Sequence, residues 1–295
     1  MIKKTLLLGR SIMLEHLDEK VAKMPQSEII EVSSNSPLAF SSDESLPLAL
    51  TINWQWVLAK ITEALVEKDS TGVLKLLFSD LDYVQLNHNA VEDVRSLVRQ
   101  SVDENTLKTT QIHIHSLTEL AKEYLARPLL NQPRLNDIID KCSLIILQLK
   151  SLEVVGVGAF MLASGLHLAL LQEQATSGTI EWGNLKKQVI EHSEYAESIT
   201  PELFSLTVGL IDKSCQCIKW KVAREATVTT TQYECRYCDG IDIHLFRATS
   251  AEVETECSKH RLQRFQTMTD IVNHTAAQPV RTALRQWRNI SRYRE

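Results

Sequence analysis

Apolar residues recur at helical spacing through most of the chain. Over 53–68, Trp54, Val57, Leu58, Ile61, Ala64 and Leu65 share one face behind Asn53, a suitable N-cap, and Ser70-Thr71-Gly72 reads as a break. Residues 73–86 read as a short apolar helix or turn. The stretch 89–102 carries Val91, Val94, Leu97 and Val98, and a further helix over 105–126 stops at Arg127-Pro128. The most regular amphipathic pattern lies at 134–149. Leu135, Ile138, Ile139, Cys142, Ile145, Ile146 and Leu149 oppose Arg134, Asp137, Asp140, Lys141 and Gln148. Helices over 182–199 and 202–213 are expected on either side of Thr200-Pro201. The pattern changes at Lys221, and 227–250 is β-rich with Asp239-Gly240 as a hairpin turn. Helical spacing returns at Cys257–Asn273 and is expected to end at Pro279, before a last helix over 280–292.

One segment breaks the amphipathic rule. From Val154 to Gln172 the chain has no Asp, Glu, Lys or Arg for 19 residues, nominally enough to span a bilayer. Gly156, Gly158, Ser164, Gly165, His167 and Gln172 dilute its hydrophobicity, and no aromatic or basic anchors flank it. It reads as the central helix of a helical bundle, apolar all round because neighbours enclose it. His167 is then a hydrogen-bonded core histidine.

Composition adds bounds. The 295 residues carry a net charge of −5, so nothing general points to nucleic acid or an anionic surface. The apolar share of 44% and charged share of 23% are those of a globular protein. The N-terminal MIKKTLLLGR has too short an apolar run for an export signal, which makes the cytoplasm the expected site of synthesis, with later release left open. The Ser/Pro-rich stretch 33–47 makes residues 1–50 an expected partly disordered segment. No nucleophile elbow, phosphate loop or dinucleotide fingerprint occurs, no acid/base pair is completed, and His113 and His115 point to different faces, so neither an enzyme nor a small-molecule substrate is expected.

Five of the six cysteines crowd together. Cys235-x2-Cys238 followed by Cys257-x2-His260 has the spacing of a structural zinc site, with Cys235, Cys238, Cys257 and His260 as ligands and no open position for water. Disulfides or thiols are the alternatives, and Cys215 and Cys217 supply further partners. Cys142, on an apolar helix stripe, reads as packing. Near the C-terminus Arg281, Arg285, Arg288 and Arg292 form one stripe, either a solvated face or a site for lipid headgroups, phosphate or an acidic partner.

The phrase ASGLHLALLQEQA (163–175), followed by Gly178 and Trp182-Gly183, resembles the fifth helix and following turn of the N-terminal domain of the three-domain Cry insecticidal delta-endotoxins, where "AANLHLxLLRD" precedes a Gly and "WG". Residues 94–127 are similar to that family's second and third helices, 133–150 to its fourth, and 261–274 to its seventh. The likeness covers about 90 to 275. The family's receptor-binding and lectin-like domains have no counterpart in these residues, and the cysteine module has none in the family. The resemblance implies an all-α fold, a seven-helix-type bundle around a central apolar helix over 51–220. A small β-hairpin, zinc-knuckle-like module is inserted at 221–260, and helices over 261–295 pack back on the bundle. It also implies a toxin-like, pore-forming function in which the hairpin 133–175 enters a lipid bilayer or engages a membrane receptor, with Phe160, Leu162, Leu166, Leu168, Leu170 and Leu171 facing lipid. The alternative is a non-toxic interaction scaffold whose zinc module docks a protein partner.

Overall fold

The computed structural model describes residues 30–31, 53–127, 132–212, 216–224, 228–239, 243–248 and 252–290. The expectation for residues 1–50 therefore lies outside the described residues, apart from strand β1 (Ile30–Glu31). The protein is mostly helical, with a small antiparallel sheet.

The helices are α1 (Trp54–Glu67), α2 (Ser70–Lys75), α3 (Tyr83–Val98), α4 (Glu104–Ala126), α5 (Gln132–Ser151), α6 (Val157–Thr176) and α7 (Trp182–Asp212). Asp69, Asp82 and Asp103 open α2, α3 and α4 by accepting backbone N–H bonds. Those caps correct two expectations. Ser70-Thr71-Gly72 starts a helix rather than breaking one. Asp82 caps α3, which begins earlier than the apolar spacing suggested. The expected break at Pro201 is also absent, because α7 runs through it. Proline removes the N–H that Glu197 O would accept, and α7 continues with that one bond missing beside an exposed residue.

Helix α6 lies inside the others. α1, α2, α3, α5 and α7 all pack against it, and all its residues from Val157 to Gln172 are buried. Two glycines permit the approach. A Cβ on Gly165 would lie 2.7 Å from Ile61 Cγ2, and one on Gly158 would lie 3.1 Å from the Ala90 carbonyl. Between α5 and α6 the chain turns through Glu153 at φ 51° and a 3₁₀ turn, Glu153–Gly156.

The strands are β2 (Gln216–Arg224), β3 (Val228–Cys238) and β4 (Ile243–Ala248), and the sheet order is β1-β4-β3-β2. The expected single hairpin is therefore part of a longer meander that begins within 216–220, residues assigned by pattern to the helical part. Helix α8 (Glu252–Val272) covers one face of this sheet and also packs on α7. It passes through a π-helical turn, Asn273–Ala277, into α9 (Gln278–Ile290), which packs on α1 and α7. Pro279 sits in the first turn of α9, where its missing N–H costs nothing. The apolar residues fall into two clusters. The large one is centred on α6 and includes Val280, Leu284 and Trp287 of α9. The small one holds Cys235, Tyr237, Phe246, Val253 and Cys257.

Candidate functional site

Phe160, Leu162, Leu166, Leu168 and Leu170 are fully enclosed in α6, and Leu171 is buried. With these side chains inside, polar groups on α6 must find partners within the protein. Gln172 Nε2 donates to the Leu65 carbonyl at 3.0 Å, Gln174 Nε2 donates to Asn136 Oδ1, and Ser70 Oγ donates to Glu173 Oε2. The Cys142 thiol of α5 donates to the Ala163 carbonyl of α6 at 3.3 Å, and burial pushes its pKa up.

The middle of α6 carries a buried histidine pair. Ser143 Oγ donates its one proton to the Ile139 carbonyl at 3.0 Å, so at 3.2 Å it accepts from His167 Nε2. His167 Nδ1 is then the bare nitrogen and accepts from His192 Nε2 of α7 at 3.0 Å. That leaves His192 Nδ1 buried with no hydrogen-bond partner. A proton added to either ring breaks a bond or goes unpaired, and water is excluded from both. Burial lowers His167 to about 4 and His192 to about 3, with the nearby His167 and Lys150 adding to the latter. Lys150 of α5 lies over the rings of Phe160 and Tyr195, 5.8 and 5.0 Å from their centroids. Tyr195 OH donates to the Lys150 carbonyl, and burial raises its pKa to about 12.

A second polar cluster lies between the sheet and α8. Strand alternation puts Cys235 and Tyr237 of β3 on one face, paired in register with Phe246 and His244 of β4. Val253, Cys257, His260 and Arg264 form a stripe along α8 toward that face. The Tyr237 hydroxyl meets His260 Nδ1 at 2.5 Å, and its ring stacks on His244 with centroids 4.7 Å apart. Asp239 Oδ2 accepts from Arg264 Nε at 2.5 Å and lies 3.2 Å from His244 Nε2, with the carboxylate fully buried. These bonds join the turn, the hairpin and the helix through one charged group.

Cys235 is disulfide-bonded, whereas Cys238 and Cys257 are thiols. Cys217 stands opposite Cys235 in the β2–β3 register. A disulfide sulfur is not a thiolate ligand, and Tyr237 engages His260 Nδ1. Among the described residues no three His, Cys, Asp or Glu side chains converge on one metal position. Helix α8 starts at Glu252, so Cys257 and His260 lie more than a turn inside it rather than at its opening.

The residues missed by pattern are Tyr237, Asp239, His244 and Arg264. Asp239 read only as a turn former, and Arg264 drew no reading of its own. The i, i+4, i+7, i+11 spacing of Val253, Cys257, His260 and Arg264 was the available signal. The basic stripe does lie on one exposed side of α9 for Arg281, Arg285 and Arg288, and Arg292 is outside the described residues. His113 Nδ1 pairs with Gln148 Oε1 at 2.9 Å, linking α4 to α5. No family model matches the chain, and neither a curated protein nor a solved structure does.

Proposed function

We propose that this chain is a membrane-perturbing, pore-forming protein resembling the delta-endotoxin N-terminal bundle, in which the α5–α6 hairpin is the inserting element. One observation carries the reading. α6 with its preceding turn is long and apolar enough to cross a bilayer, and it is held entirely inside its own protein. A core helix of a soluble protein meets the same description, so the test is functional. α6 has no apolar-free face to show to water, and on release from the bundle its stable alternatives are aggregation or a lipid phase. The α5 partner keeps a charged side, Arg134, Asp137, Asp140 and Lys141, suited to lining an aqueous path. The buried His167–His192 pair supplies a route to release, since acid places protons where no acceptor exists.

The decisive experiment is dye release from liposomes at pH 7 and at pH 4.5, with and without limited proteolysis. Release under acid or after proteolysis, lost when α6 carries Leu168→Asp in a variant that still folds at pH 7, supports the reading. Absence of release from neutral and anionic liposomes under every condition overturns it.

A second reading has its own support in the small sheet–α8 core beside the large one. It makes the protein a non-toxic scaffold whose cysteine module docks a protein partner. Structural zinc belongs to that reading in reduced protein only, where Cys235 regains a thiolate. Zinc measured at one per chain after reduction, and none before, supports it; none in either state removes zinc.

A further inference from the structure

The middle of α7, the second half of α8 and α9 line an open groove of about 1120 Å³. Its apolar wall is Phe204 from α7, Leu262 and Phe265 from α8, and Leu284 from α9. Leu284 is buried at the floor, whereas Leu262 is 57% exposed, a large apolar side chain presented to the groove rather than to a neighbour. Arg281, Arg285 and Arg288 also line it, at i, i+4 and i+7 along about 10 Å of α9. Glu197 is the one acidic residue lining it, and Arg288 already holds that carboxylate. Arg281 Nη1 donates to Asn273 Oδ1 at 3.3 Å, and its guanidinium lies over the Phe204 ring, 5.4 Å from the centroid. Arg285 has no ion-pair partner among the described residues. A wall of apolar side chains thus meets two cations that pair with no carboxylate among the described residues, in a protein whose net charge is −5.

We infer that this groove binds a single-chain amphipathic anion, a long-chain carboxylate or alkyl phosphate, with its chain against Phe204, Leu262 and Phe265 and its head between Arg281 and Arg285. A solvated basic stripe would need no apolar recess beside it, and an apolar docking surface would need no uncompensated arginines. Guanidinium matches carboxylate and phosphate through paired N–H donors, so the head is anionic rather than zwitterionic or neutral. The floor is recessed between three helices, which fits one inserted chain better than the flat face of a bilayer. No residue of α6 lines this groove, and the inference does not rest on membrane insertion.

Titration calorimetry on the full chain tests it, with dodecanoate and dodecyl phosphate below their micelle concentrations, and neutral dodecyl maltoside as control. Both anions bind with one-to-one stoichiometry, and the maltoside binds at least about tenfold more weakly. The double substitution R281Q/R285Q lowers anion affinity by about tenfold or more and leaves maltoside binding and the circular dichroism unchanged. Leu262→Asp, at an exposed position tolerant of charge, weakens all three ligands. Equal binding of neutral and anionic amphiphiles, or anion binding indifferent to R281Q/R285Q, overturns the inference. Binding to phosphatidylglycerol vesicles without binding of monomers also overturns it, in favour of a membrane surface. Binding of an acidic amphipathic peptide without the amphiphiles does so in favour of a protein partner.

Discussion

The environment of α6 and the sheet–α8 module solve the same problem with opposite materials. Around α6 the order comes from volume. Apolar side chains from five helices close over it, and Gly158 and Gly165 let the backbones approach. Among the described residues the module has a cluster of five buried apolar or cysteine residues. It is held by the disulfide at Cys235, the Asp239–Arg264–His244 bonds and the Tyr237–His260 contact. A large core tolerates no charge and needs few specific bonds. A small one cannot bury enough surface and depends on staples. The histidine pair is one of several polar joints inside the large core, beside those of Gln172 and Cys142, and it leaves one nitrogen unanswered.

The sharpest way to break the comparison is to remove volume from each core. Leu166→Ala in α6 is expected to cost about 2–5 kcal/mol and to lower the urea midpoint of the whole helical transition. A loss below about 1 kcal/mol would mean that α6 is loosely held. Next comes charge in the module. Asp239→Ala leaves Arg264 and His244 facing a buried gap, at a cost of about 3 kcal/mol. The loss should appear as faster amide exchange in β3, β4 and the start of α8, while exchange in α6 stays unchanged. Uniform acceleration across both regions would show that they unfold as one unit.

Acid should separate the regions in the opposite sense. The folded pKa values of His167 and His192 lie below the ordinary histidine value of 6.5. The unfolded chain therefore binds more protons, and their contribution is fully present above pH 6.5. It is lost as pH falls toward 4 and 3, at about 1.4 kcal/mol per pH unit for each ring. Lys150 and Tyr195 are the other titratable groups close to the pair, and burial raises Tyr195 further out of that window. His192→Phe is expected to flatten the pH dependence of the urea midpoint between pH 6.5 and 4. An unchanged slope would place the acid sensitivity elsewhere. The smallest effect belongs to the α5–α6 turn. Glu153 occupies left-handed backbone, which costs a non-glycine residue about 1 kcal/mol. Glu153→Gly removes that cost but loosens the unfolded chain, so a net gain within about 0.5 kcal/mol is expected from the same urea assay.

The sequence was most legible where one physical rule acts alone. Nineteen residues without charge read as an enclosed helix, and the stripe from Leu135 to Leu149 read as its neighbour. Elsewhere two rules competed. Proline breaks helices in general, yet α7 continues through Pro201. The zinc spacing read four residues along the chain, whereas Cys235 sits across a strand pair from Cys217 and is oxidised. Tyr237 and His260 meet across 23 residues, and no local pattern joins them.

Local periodicity, glycine placement and the absence of charge by themselves determined that this chain is mostly helical, with one helix unfit for water. Only the tertiary structure decided which polar groups meet: the His167–His192 pair between α6 and α7, the Asp239 bonds between the sheet and α8, and three arginines beside an apolar groove. The reason is range. Helical periodicity is written within a few residues, while a hydrogen bond or a groove depends on which segments pack side by side, and that is set by the fit of whole helices.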